Sequence, residues 1–153
     1  MVSITSSAPL APSASAAPRT IGWGRYALVG LGTIVAAVLA NVAVYYLGAA
    51  LVGYNSGFIV LSNPSGAILF TVFPAIVAVL LYAALLRFAK RPARTFSIIS
   101  AVVFVATLIP DFIYIPTVPG ATNGQIAILV LMHIVAAAVI VGLLTTRTRP
   151  QGR

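Results

Sequence analysis

The sequence predicts an all-α fold: a polytopic membrane protein built as a four-transmembrane-helix antiparallel bundle, with both termini cytoplasmic. Three observations predict it. Of the 153 residues 61% are hydrophobic and only 7% charged, where a soluble domain carries roughly a quarter of its residues as charges. Four separate stretches approach the ~20 apolar residues that a helix needs to cross a bilayer. The chain holds nine basic residues and one acid, and every basic residue falls on the same side of a four-span topology.

Residues 1–21 are rich in Ser, Ala and Pro, with no basic residue before Arg19. They lack the positive n-region and apolar h-region of a signal peptide, and their composition predicts a disordered cytoplasmic tail. A membrane domain is expected over residues 22–146. Its first span covers about 26–52, long enough to tilt or to emerge beyond the bilayer. The connection 53–66 holds the apolar run Phe58-Ile59-Val60-Leu61 between Asn-Ser-Gly and Asn-Pro-Ser-Gly turn signals, which predicts a small strand or an interfacial flap. The second span covers about 67–88. The short joint after it makes spans two and three antiparallel neighbours. The third span, about 96–115, is interrupted near its end by Pro110 and Asp111. The fourth covers about 125–144, and a basic tail, 147–153, follows.

The charges orient these spans. Arg19 and Arg25 precede the first. Arg87, Lys90, Arg91 and Arg94 fill the joint between the second and third, and Arg147, Arg149 and Arg153 follow the fourth. Connections 53–66 and 116–124 contain no Lys or Arg. The positive-inside rule then places both termini and the joint in the cytoplasm of a multi-pass protein of the cell (plasma) membrane. An odd number of spans would scatter the charges. The expected partners are the lipid bilayer and anionic headgroups at its cytoplasmic face. No basic stripe is interleaved with stacking aromatics, which argues against nucleic acid. A homo-oligomer or an unknown membrane partner stays open. Trp23, Tyr26, Phe88 and Phe96 are expected at the inner interface, and Tyr45, Tyr46, Tyr54, Phe112 and Tyr114 at the outer one.

Polar residues inside a membrane are costly and so call for a reason. On a helical projection of span one, Gly30, Thr33, Ala37, Asn41, Val44 and Gly48 share a face whose small residues let a neighbouring backbone come close. Span two offers Thr71, Ala75, Ala78 and Tyr82, and span three Ser97, Ser100, Phe104, Thr107 and Asp111. In span four His133 lies beside Ala136, Ala137 and Ile140. At a rise of about 1.5 Å per residue, Asn41 and Asp111 lie roughly 22 Å from the cytoplasmic ends and His133 roughly 16 Å. Asn41, Asp111 and His133 therefore form a candidate intramembrane polar site. A lone acid beside a lone histidine can handle a proton. The alternative is structural, with Asp111 hydrated or capping a turn near the interface and His133 and Asn41 bridging helices.

Other chemistries lack their residues. There is no cysteine, hence no disulfide or thiolate site. One histidine cannot supply two axial haem ligands. Two candidate ligands fall short of a metal site, no nucleotide-binding loop is present, and no cofactor is expected. No Gly-x-Ser-x-Gly elbow accompanies the single His and Asp.

Three segments carry a resemblance: Arg87-Phe88-Ala89-Lys90-Arg91-Pro92-Ala93-Arg94-Thr95-Phe96, the Pro110-Asp111 pair, and Leu129-Val130-Leu131-Met132-His133-Ile134-Val135-Ala136-Ala137. Over roughly residues 22–145 the chain resembles an uncharacterised family of small four-helix bacterial membrane proteins, domain-of-unknown-function family 6069, commonest in actinobacteria. The Leu-Met-His run is its more specific part. The resemblance implies the same topology and draws attention to His133, and it supplies no activity. The expected function is that of a non-catalytic accessory or structural component of the inner membrane. The rival is a small proton-linked transporter using Asp111 and His133.

Overall fold

Residues 22–148 are described by a computed structural model, and helix accounts for nearly all of them. α1 spans Trp23–Val52, α2 Pro64–Phe88, α3 Pro92–Ile113 and α4 Asn123–Arg147. All four are long and apolar enough to cross a membrane. The expected tail over 1–21, and 149–153 of the basic tail, lie outside the described residues.

Each boundary has a local cause. α1 stops at Gly53, whose φ of 68° leaves the helical region while its N–H still closes on the Ala49 carbonyl. α2 begins with Pro64 at a position that needs no donor, and the Asn63 side chain accepts the Ser65 N–H at 3.0 Å. α3 likewise opens on Pro92. α4 is started by a reciprocal cap: the Thr122 hydroxyl accepts the Gln125 N–H at 3.3 Å, and the Gln125 side-chain oxygen accepts the Thr122 N–H at 3.0 Å. These capping residues are polar, so hydropathy alone starts each span a few residues late. Pro110 does not break α3. The helix runs on to Ile113, and the Tyr114 N–H donates to the Pro110 carbonyl at 2.9 Å.

α1 packs against α4 and α2, α3 against α4 and α2, and α2 and α4 meet across the centre. The alternation of direction brings Arg25, Arg87, Lys90, Arg91, Arg94 and Arg147 to one end, here called the basic end. The opposite, uncharged end carries connections 53–63 and 114–122.

Two apolar clusters fill the bundle. At the basic end Tyr26, Ala37, Ala75, Tyr82, Phe96, Ile140 and Leu144 pack together. At the uncharged end Tyr45, Phe58, Leu61, Ala67, Ile115, Ile128, Leu129 and Met132 do so. Phe58 and Leu61 come from the connection expected as a strand or flap. Among the described residues there is no strand: Ile59–Leu61 is a 3-10 turn, closed by Leu61 N–H to the Phe58 carbonyl and Ser62 N–H to the Ile59 carbonyl. With no second strand to pair with, the backbone satisfies itself by turning, and two of its four apolar side chains drop into the core. Gly120 locks this cap down. It has a φ of 80°, and a Cβ there would stand 2.9 Å from the Gly57 carbonyl carbon, so the two connections touch backbone to backbone.

The outer surface is apolar almost everywhere. Leu51 and Phe70 are each 81% exposed, and Phe73, Leu28 and Val102 are likewise bare. Water would oppose such a surface and lipid accepts it.

Candidate intramembrane polar site

The small-residue face read from span one is the buried face of α1: Tyr26, Gly30, Thr33, Ala37, Asn41, Tyr45 and Gly48. Its closeness to neighbours is direct. A Cβ on Gly30 would lie 2.8 Å from a Val79 methyl of α2, and one on Gly48 would collide with Tyr54 and Ile128. Thr33 points its hydroxyl back to the Val29 carbonyl at 2.8 Å, satisfying itself within the helix.

Asn41 stands between the two apolar clusters. Its amide donates to the Thr71 hydroxyl of α2 at 2.7 Å, and Thr71 in turn donates to the Ala67 carbonyl at 2.6 Å. This donor chain stitches α1 to α2. It corrects the expectation that Asn41 shares a site with Asp111 and His133, because Asn41 bonds neither. The amide of Asn41 is turned toward α2.

Asp111 and His133 do meet. His133 Nδ1 lies 3.2 Å from Asp111 Oδ2, joining α4 to α3. The same nitrogen is 2.9 Å from the Leu129 carbonyl oxygen, one turn back. A carbonyl oxygen can only accept, so Nδ1 is the donor in this contact. That N–H is aimed at Leu129. Asp111 Oδ2 therefore has no hydrogen bond of its own, and its link to the ring is electrostatic, strongest when the ring is imidazolium. Asp111 is buried, while the His133 side chain is about one third exposed.

The buried face of α3 is rotated slightly from the expected stripe. Ser97 and Thr107 are exposed, and Thr107 turns back to the Phe104 carbonyl at 2.8 Å. Ser100, Phe104 and Leu108 are half-buried between the two buried positions, Phe96 and Asp111.

Three aromatic residues also depart from the interfacial role expected of them. Tyr26 is buried and donates to the Val79 carbonyl at 2.5 Å. Tyr45 is buried and donates to the Leu61 carbonyl at 3.0 Å, holding the cap in place. Phe96 is 1% exposed and stacks at a tilt on Tyr82, with centroids 4.8 Å apart. Tyr54, in the connection, donates to the Tyr45 carbonyl at 2.7 Å, and burial raises its hydroxyl pKa, with Tyr45 adding to the effect. The aromatic rings of Trp23, Tyr46, Phe88, Phe112 and Tyr114 are exposed near the helix ends, as interfacial rings are.

Sequence reasoning missed a groove of about 460 Å³ at the uncharged end, lined by Asp111, Phe112 and Pro116 on one side and by Asn123, Ala127 and Val130 of α4 on the other. It also missed Gln125, fully buried beneath the Thr122 cap with its side-chain nitrogen unpaired. The Thr-x-x-Gln spacing was the available signal for the cap.

A family model described as a family of unknown function (DUF6069) matches residues 15–150, and the chain belongs to that family. No curated protein and no solved structure matches it.

Proposed function

We propose that this DUF6069 protein is a non-catalytic component of the cell membrane, with its basic end in the cytoplasm and its uncharged end outside. In this reading Asp111 and His133 tie α3 to α4. One observation supports it above all: four polar contacts join separate elements instead of converging on one centre. Asn41 goes to Thr71, Tyr26 to Val79, Tyr45 to Leu61 and His133 to Asp111. Polar ties of this kind hold helices together where lipid gives no hydrophobic drive. Arg87, Lys90, Arg91 and Arg94 then meet anionic headgroups at the cytoplasmic face.

The test is substitution of His133. The His133 N–H goes to Leu129, and a Gln side chain there could offer an N–H to Asp111 in place of the electrostatic contact, so a tie predicts that His133→Gln keeps the thermal stability of the bundle while His133→Ala lowers it. Orientation is tested in the same cysteine-free background. An impermeant maleimide should label Ser62→Cys in intact cells, and Gln151→Cys only after lysis. Labelling in the opposite pattern would reverse the topology.

A second reading, a small proton-linked transporter, is favoured by the groove that brings Asp111 within reach of the uncharged end. It predicts proton flux in proteoliposomes that His133→Gln abolishes without unfolding the protein. Absence of such flux leaves the tie as the role of the pair.

A further inference from the structure

The groove between α3 and α4 leads to the chain's single acidic side chain. On the α4 wall Asn123, Ala127 and Val130 follow one another at helical spacing, about 10 Å along the axis. His133 comes one turn further. The opposite wall is Phe112 and Pro116, with Asp111 beside them. Apart from Asp111 and Asn123 the lining is apolar, and the groove measures about 460 Å³.

We propose that this groove binds a lipophilic organic monocation, its charge against Asp111 and its apolar body against Phe112, Pro116, Ala127 and Val130. Charge complementarity selects the occupant. Among the described residues His133 is the one titratable or charged group that faces Asp111. α2 carries no charged residue before Arg87, α4 none before Arg147, and connection 114–122 offers only the exposed Tyr114. With the imidazole neutral, its Nδ1–H is spent on the Leu129 carbonyl, and Asp111 Oδ2 is left buried without a hydrogen bond. An ionised carboxylate in that position lacks a counter-charge, which a desolvated cation supplies. An anion would be repelled by Asp111. A divalent metal ion would need several oxygen ligands, and among the described residues no three His, Cys, Asp or Glu side chains gather. A sugar would leave its hydroxyls against an apolar wall.

Proton and ligand compete at this site. Protonating His133 gives the carboxylate its own cation, and protonating Asp111 removes the charge, so both events weaken binding as pH falls. Binding requires no transport, although the site shares its groove and its acid with the transporter reading.

The experiment is equilibrium binding of radiolabelled tetraphenylphosphonium to the full chain in lipid nanodiscs, with empty nanodiscs subtracted. The expected result is saturable binding of one cation per chain. It should weaken as pH falls, because a proton on either Asp111 or His133 competes with the ligand. Asp111→Asn should weaken it by about 30-fold or more, the lower end of what losing one partner of a desolvated charge pair costs. Val130→Trp fills the groove without touching the acid and should also abolish binding. That variant and the pH series decide the matter even if Asp111→Asn fails to fold. Uptake no greater than that of empty nanodiscs, or binding that survives Val130→Trp, overturns the proposal.

Discussion

Along α1 the buried positions Tyr26, Gly30, Thr33, Ala37, Asn41, Tyr45 and Gly48 follow every three or four residues, whereas in α3 burial is confined to Phe96 and Asp111. In their most apolar windows 28% of α1 is buried against 11% of α3, although both are long enough and apolar enough to span. α1 is attached along its whole length because its small residues let α2 and α4 approach its backbone. α3 has its two buried residues at opposite ends: an aromatic anchor, Phe96, at the basic end and the Asp111–His133 contact toward the uncharged one. Leu and Val face lipid as comfortably as protein, so hydrophobicity does not decide which face of a membrane helix is buried. Small and polar side chains decide it.

The largest effect is expected at the aromatic anchor. Phe96→Ala removes the ring that packs on Tyr82 and should destabilise the bundle by about 3 kcal/mol, the lower end for deleting a buried Phe. Reversible unfolding in mixed micelles would measure it. A loss below about 1 kcal/mol, the size typical of an unremarkable substitution, would mean that α3 is held elsewhere.

The sequence makes α1 legible and α3 only partly so, and the reason is the same contrast. Gly30, Ala37 and Gly48 mark their face by size, and six of seven buried positions either belong to the stripe read from sequence or adjoin it: Val44 was expected and Tyr45, the next residue, is buried in its place. On α3 the expected stripe included Ser97 and Thr107, which face outward and satisfy their hydroxyls on their own helix. A self-satisfied hydroxyl costs little in lipid, so its presence says little about direction. Tyr26, Tyr45 and Phe96 show a second ambiguity. An aromatic near a helix end serves the interface or the core equally well, and only the partner carbonyl or ring decides. The meeting of Asp111 and His133 could be anticipated from depth, since each is costly alone. The partner of Asn41 could not, because it depends on helix rotation.

Overpacking α1 comes next in size. Ala37 is fully buried, and Ala37→Leu should cost about 1–3 kcal/mol by forcing α1 away from its neighbours. Full stability of that variant would show that α1 does not rely on close approach. The smallest effect belongs to the middle of α3. Val103 is exposed, and Val103→Leu should change stability by no more than about 0.5 kcal/mol. A larger loss there would reveal a protein partner on this face and erase the contrast between the helices.

His133 is the only histidine in the chain, so its imidazole nitrogens give the single pair of ring signals in a ¹⁵N NMR spectrum. The tie between α3 and α4 requires Nδ1 to be the protonated nitrogen of the neutral ring, and it requires both signals to move when Asp111 is replaced by Asn. A neutral ring protonated on Nε2 instead, or ring signals unchanged in the Asp111→Asn protein, would contradict it.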